Sequence, residues 1–227
     1  MVRRPRLLPL ILLGALSILA LPPVAAHAFV FSAPRYAVLE GEGSGPAIFT
    51  AGGVEKECKQ VHLSGRYFRR TLEIEPVYDG CRAKALAGFP VSYVVNRCVF
   101  RLHARAAEAG KRRWKADVDL GCPTTYSMRW QVYEEEKRRE GAPSVCDTAM
   151  FPQTGVGTAV LSNIAGSPGK IAIDWNLTTI KYKMLYGSIL FCGSQPGVVE
   201  RYASYRDHAT IGAMDLGGRP LPLAVRG

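Results

Sequence analysis

The sequence has few acidic residues for its number of basic ones. It contains 19 aspartates and glutamates against 29 lysines and arginines, and its formal net charge is +10 over 227 residues. Such a surplus permits attraction to anionic partners, including wall polymers, phospholipid surfaces and nucleic acid, but identifies none of them. The alternative is that the chain is moderately basic, as many secreted proteins are, and has no specific anionic partner.

Long apolar runs are also missing, apart from Leu7–Leu21 near the start of the chain. This run follows Met1–Arg6, which has three arginines and no acid, and it is followed by Pro22 and Pro23 and then by Ala26-His27-Ala28. A basic region, an apolar region and an A-x-A site together predict a secretory signal peptide over residues 1–28, cleaved after Ala28. The alternative is an uncleaved anchor, although a spanning helix needs about 20 apolar residues. With the signal removed, we expect no membrane span.

The motifs of common enzyme and metal sites are absent. The sequence contains no G-x-S-x-G, H-E-x-x-H, P-loop or C-x-x-C motif and no closely spaced cysteine–histidine cluster, so we expect no metal and no cofactor. Asp207 and His208 are neighbours, but adjacent strand residues point to opposite faces and form no dyad. Glu73 and Glu75 share a strand face, where alternating acids are ordinary. We therefore predict no catalytic residues.

The remaining chain is the size of one domain. The segment Glu40–Pro46 is rich in glycine and predicts a flexible or turn-rich connector. We therefore divide the chain into the signal peptide at 1–28, a flexible N-terminal segment at 29–46 and a single β-rich, disulfide-bonded domain at 47–227.

Six cysteines follow the signal, and an even number in an exported chain predicts disulfide bonds. Nearly the same number of residues separates Cys58 from Cys81 as separates Cys98 from Cys122, and each segment ends in Gly-Cys. Each segment also contains two strand-like runs around a basic centre, which predicts a hairpin closed at its base by a disulfide. We favour the sequential pairing, which leaves Cys146 with Cys192; the alternative is that bridges cross between the hairpins.

Alternation of apolar and polar residues predicts β-strands along the whole domain. In the first hairpin Leu72 and Ile74 alternate with acids, and the run from Trp114 to Leu120 alternates in the second. Lys170–Leu177 alternates clearly, and we expect a turn or bend at Thr178-Thr179 before the pattern resumes. Glycine and proline interrupt these runs at short intervals. The fold predicted is all-β, an antiparallel β-sandwich or barrel-like domain stapled by disulfides.

The centres of the two hairpins suggest an anion-binding site. They contain six basic residues next to aromatic ones: Arg66, Arg69, Arg70, Lys111, Arg112 and Arg113. If the hairpins lie side by side, both tips present arginines at one end of the sheet. Arginine pairs with phosphate and carboxylate groups, and aromatic rings stack on sugars or bases. The alternative is two solvated tips with no ligand.

Several short motifs resemble a group of secreted, β-rich, cysteine-paired proteins of high-GC Gram-positive bacteria. These motifs are Tyr78–Cys81, Cys98–Phe100, Gly121-Cys122, Phe151–Gly155 and Ile180–Tyr182. They are structural, comprising Gly-Cys corners and strand patterns, and the similarity extends over about Ala47 to Leu216. The resemblance implies export, a β-fold and disulfides, and it implies no activity and no site residue.

We therefore expect an exported, non-catalytic module that associates with the cell envelope or another anionic surface. Its expected partner is an anionic envelope polymer or surface, and we expect no specific nucleic acid. The alternative is an extracellular hydrolase with an unrecognised site, which would need a pocket where His208 and an acid, or two carboxylates, converge. A protease inhibitor also fits the disulfides, and the sequence leaves the oligomeric state open.

Overall fold

A computed structural model describes residues 30–34, 36–68, 70–84, 89–107, 112–123, 127–134, 143–188, 192 and 195–226. The predicted signal peptide and two of the basic tip residues, Arg69 and Lys111, lie outside the described residues. The regular elements of the described residues are seventeen β-strands. They are β1 (Val30–Ser32), β2 (Val38–Gly43), β3 (Ala47–Ala51), β4 (Val54–Cys58), β5 (Gln60–Phe68), β6 (Thr71–Asp79), β7 (Arg82–Ala83), β8 (Phe89–Val94), β9 (Val99–Ala107), β10 (Arg113–Gly121), β11 (Met128–Val132), β12 (Cys146–Met150), β13 (Gln153–Asn163), β14 (Lys170–Gly187), β15 (Val199–Met214), β16 (Pro220–Leu221) and β17 (Ala224–Arg226).

The strands close into two antiparallel rings that share a pair of strands. The first ring runs β15-β2-β5-β6-β9-β10-β13-β14, and the second ring runs β14-β12-β11-β8-β7-β4-β3-β15. The pairing between β14 and β15 closes both rings. A small separate sheet pairs β1 with β17, and β16 lies at the outer edge of β15. The prediction of an antiparallel all-β fold is confirmed.

The two rings can share β14 and β15 because both strands are long. β14 has 18 residues and β15 has 16. The first half of β14 pairs with β13, and its second half pairs with β12, as Thr148 opposite Met184 shows. The pairing with β15 shifts register between Leu177 and Ile180. Thr178-Thr179, expected to form a turn or bend, therefore lies inside a continuous strand, at the place where β14 changes ring.

The two predicted hairpins are present, and each is closed at its base by a disulfide. β5 pairs with β6 and β9 with β10, and Cys58–Cys81 and Cys98–Cys122 join the ends of these pairs. The third bond is Cys146–Cys192, so the structure has the sequential pairing. Each loop-closing bond contributes about 3 kcal/mol through the entropy of the unfolded chain.

The interior of the first ring is built from the alternating positions that the sequence indicates. On β10 these are Trp114, Ala116, Val118 and Leu120, all of which are buried. On β14, which is separated from β10 by β13, the residues Ile171, Ile173, Trp175 and Leu177 are buried as well. Complete burial of one large aliphatic side chain stabilises the fold by about 1.5–3 kcal/mol.

The segment at 29–46, expected to be flexible, instead contributes β1 and β2. β2 lies between β5 and β15, and Leu39 is fully buried. One of its glycines permits close strand contact: a Cβ on Gly41 would lie 2.3 Å from the carbonyl oxygen of Thr210. Gly41 is therefore part of a packed strand rather than of a loose connector. Within the part of the chain that the structure describes, no helix is long and apolar enough to cross a membrane.

Candidate functional site

The turns of both hairpins lie at the same end of the first ring. β6 and β9 are antiparallel neighbours, with Thr71 opposite His103, so the turn after β5 and the turn after β9 point the same way. We call this end, with its exposed residues Arg66, Arg70, Arg112 and Arg113, the tip end. The structure thus brings together the four described members of the predicted anion-binding set.

The two hairpin tips end at different positions along the strand direction. The main-chain N–H of Ala104 donates to the carbonyl oxygen of Arg70 at 3.0 Å, which places the first tip beside Ala104. The second hairpin continues past this point, because Ala107 pairs with Trp114 and Arg112 lies two residues farther out. At about 3.3 Å per residue, Arg112 lies about 15 Å beyond Arg70 along the strand direction.

Arg66 is already held by a carboxylate. Its Nη2 donates to Glu73 Oε2 at 3.4 Å, and Arg101 Nε donates to Glu73 Oε1 at 2.9 Å. The Glu73 side chain is 17% exposed between these two guanidinium groups. Glu73 is therefore committed to an ion-pair network with these two arginines.

Arg113 is held in the same way at the far side of β10. Its Nη2 donates to Asp174 Oδ2 at 3.3 Å, and Nδ1 of His208 hydrogen bonds to the other oxygen of the same carboxylate. Asp174 and His208 face each other across β14 and β15. The sequence does not reveal this pair because its members are 34 positions apart and meet only through the strand register.

The neighbouring residues Asp207 and His208 point to opposite faces, as their adjacency on one strand predicts. Asp207 is 8% exposed inside the ring and accepts a hydrogen bond from the Tyr205 hydroxyl at 3.0 Å, whereas His208 is exposed. Burial raises the pKa of Asp207 above its usual value, and the hydrogen bond from Tyr205 opposes this shift. These two residues form no catalytic dyad.

Arg70 and Arg112 differ from the other two arginines. Both are exposed, and neither forms an ion pair with a carboxylate of the described residues. No carboxylate of the described residues lies within ion-pair distance of either guanidinium group. They are therefore its strongest candidates for binding an external anion.

The aromatic residues of the tips contribute less than the sequence suggests. Trp114 is 9% exposed and belongs to the core, while the Tyr67 hydroxyl donates to the carbonyl oxygen of Ala33. Phe68, at 52% exposed, presents its ring to solvent. Of these three aromatic rings, that of Phe68 is the one exposed enough to stack on a ligand.

A buried lysine lies in the second ring, far from the tips in the sheet order. Lys56 is 1% exposed, its Nζ lies 4.8 Å from the ring centre of Trp130, and it donates to the carbonyl oxygen of Val54 at 3.3 Å. Burial lowers its pKa from 10.5 to about 7. Sequence reasoning missed this residue, because the alternation of β4 places it on the inner face only once the ring is known. Its burial leaves it no access to a substrate.

An open groove of about 590 Å³ crosses the outer face of β2, β5 and β15. Its polar lining includes Glu42 and His62, which lie 3.8 Å apart, and Ser64. His103, on β9 of the second hairpin, pairs with Asp119 at 3.0 Å, and its side chain is partly exposed. The groove contains neither His208 nor Glu73 and Glu75. Its two carboxylates, Glu40 and Glu42, lie two residues apart on β2, and the side chains of His62 and Glu42 are 56% and 78% exposed, so the groove is an open, solvated surface.

No group of three or more potential ligand residues that could hold a metal ion occurs among the residues that the structure describes.

Comparison of the chain with models of protein families, with curated proteins and with solved structures gave no match. The resemblance to secreted, β-rich, cysteine-paired proteins of high-GC Gram-positive bacteria therefore stays a prediction.

Proposed function

We propose that this chain is an exported, non-catalytic protein that binds an anionic polymer or surface of the cell envelope through its tip end. One observation carries the proposal: two exposed arginines without a carboxylate partner in the described structure lie on neighbouring hairpins at the same end of the first ring. Arginine is suited to such a role because its planar guanidinium group pairs with phosphate and carboxylate groups.

The overall charge supports the same proposal. Without the three arginines of the predicted signal, 26 basic residues face 19 acidic ones, and the surplus draws anionic partners from a distance. Three disulfide bonds are consistent with a location outside the cytoplasm. The hydrolase alternative is less well supported, because Glu73 and Asp174 are each occupied by two cationic or imidazole partners.

Co-sedimentation with the producer's purified envelope tests the proposal. The oxidised, processed protein is mixed with envelope fragments at increasing ionic strength, and the bound fraction is measured. We expect strong binding at low salt and a steep decrease toward physiological salt, because exposed charges are screened over about 10 Å at 0.1 M. Envelope stripped of its anionic polymers serves as the control and should bind little. Failure to bind intact envelope at low salt would refute the proposal.

A further inference from the structure

We propose that the ligand of the tip end is a linear polyanion, a polymer whose acidic groups repeat along one chain, and that Arg70 and Arg112 bind it together. Arg66 and Arg113 then act as structural ion-pair partners rather than as ligand contacts. This inference rests on the proposed function and narrows it to two residues and one class of polymer.

The division of the four arginines follows from their carboxylate partners. A carboxylate within ion-pair distance partly neutralises a guanidinium group and weakens its field at a distance. Arg66 shares Glu73 with Arg101, and Arg113 shares Asp174 with His208. The charges of Arg70 and Arg112 have no such partner in the described structure, so their full attraction acts on an approaching anion.

The requirement for a polymer follows from the step between the tips. A single phosphate or carboxylate contacts groups within hydrogen-bond distance, about 3 Å. The main-chain positions of Arg70 and Arg112 lie about 15 Å apart along the strand direction, so a single group contacts both only if the two side chains extend toward each other. A chain with repeating charges reaches both, and its second contact forms at a high effective concentration once the first has formed.

Arg105 lies on the path between the two arginines and is compatible with a bound chain. Its Nη1 lies 3.2 Å from Asp117 Oδ1, and its side chain is 61% exposed. The carboxylate of Asp117 is thus already balanced and offers little repulsion. A polymer that passes over the exposed side chain of Arg105 therefore meets no unbalanced negative charge in the described part of this path.

The first test compares two double variants with the same change in net charge. Arg70→Gln/Arg112→Gln removes the proposed contacts, and Arg66→Gln/Arg113→Gln removes the paired arginines. In the control variant Glu73 keeps Arg101 and Asp174 keeps His208, so each carboxylate still has one partner. We expect the first variant to bind long-chain inorganic polyphosphate at least 10-fold more weakly, and the control less than about 3-fold more weakly. Equal losses would show that binding depends only on net charge and would overturn the inference.

The second test examines whether one chain bridges the two arginines. Affinities for long-chain polyphosphate and for tripolyphosphate are measured by calorimetry and expressed per phosphate. We expect the long chain to bind about 10-fold more tightly in the wild type and in the Arg66→Gln/Arg113→Gln control. In either single variant, Arg70→Gln or Arg112→Gln, this advantage should largely disappear, since only one contact remains. An advantage that persists in both single variants would contradict bridging.

The outcomes also separate this inference from the proposed function. Wild-type protein that sediments with envelope but does not bind long-chain polyphosphate, or poly-glutamate as the carboxylate counterpart, would refute the polyanion inference and leave the proposed function standing. Absence of binding to both envelope and polymers at low salt would refute both. Unchanged circular dichroism and thermal unfolding of each variant would show that the losses come from the removed charges rather than from misfolding.

Discussion

The buried cation Lys56 imposes a pH-dependent cost on the stability of the fold. Its pKa falls from 10.5, the usual value of a solvated lysine, to about 7 in the fold, because burial disfavours the charged ammonium group. The unfolded state therefore binds a proton at higher pH than the folded state does. The cost to stability is absent above about pH 10.5, grows as the pH falls toward 7, and is constant below that.

Lys56→Met should consequently stabilise the protein at neutral and acidic pH. Methionine can pack against Phe49 and Trp130 and carries no charge to bury. We expect a gain in the free energy of unfolding at pH 6 of up to about 5 kcal/mol, which shrinks as the pH rises toward 10.5. Urea unfolding over this pH range measures the difference.

Lys84→Met provides the control for this experiment. Lys84 is exposed and pairs with Glu55 and Glu57, so its removal should give no gain at low pH. A Lys56→Met variant that is less stable than the wild type at pH 6 and gains stability relative to it at pH 10 would contradict the interpretation.

At the scale of single elements, β2 depends on a glycine that brings two strands together. A Cβ at Gly41 would lie 2.3 Å from the carbonyl oxygen of Thr210 and 2.8 Å from the Cα of Ile211, so the backbone has to move. Gly41→Ala should destabilise the protein by about 1–3 kcal/mol, as overpacking does. Gly45→Ala is the matched control, because nothing lies within 4 Å of its added Cβ. Thermal unfolding of both variants checks this, and equal effects would show that the contact is unimportant.

Much of the hairpin architecture could be predicted from the sequence, because it depends on local pattern. Alternation from Trp114 to Leu120 fixes one buried face, and matched cysteine spacing fixes the base of each hairpin. Glycine has two physical uses, however, and composition alone does not separate them. The composition of Glu40–Pro46 predicts a flexible connector, whereas Gly41 permits tight packing inside the sheet.

The candidate site was predictable only in part, for a similar reason. The sequence indicates which residues are basic and that they occupy hairpin tips, and four of the six lie at one end of the first ring in the structure. The carboxylates that hold Arg66 and Arg113 are Glu73 and Asp174. Asp174 lies 61 positions from Arg113, and such a pairing depends on ring closure, which no local pattern encodes.

At the scale of the whole molecule, the shared strands should make the two rings unfold together. Neither ring stays closed if β14 and β15 separate, because their pairing completes both. We therefore expect a single cooperative transition rather than one for each ring.

Tryptophan substitutions can test this cooperativity. Trp130 lies on β11 of the second ring, while Trp114 and Trp175 lie on β10 and β14 of the first. In Trp130→Phe, fluorescence reports the first ring, and in Trp114→Phe/Trp175→Phe it reports the second. Within each variant, the fluorescence midpoint in urea should coincide with the midpoint from far-UV circular dichroism. Separate midpoints would show that the rings unfold independently.

Because β2 pairs with β15, the protein can complete its folding only late in its synthesis. β2 is made early, but its partner in β15 is made late: the hydrogen bond from Ser44 to His208 spans 164 positions. At the usual rates of translation, this interval lasts on the order of 10 s. Both rings stay open until β15 has emerged, so a nascent chain cut short before Val199 retains unpaired strand edges of the kind that promote aggregation.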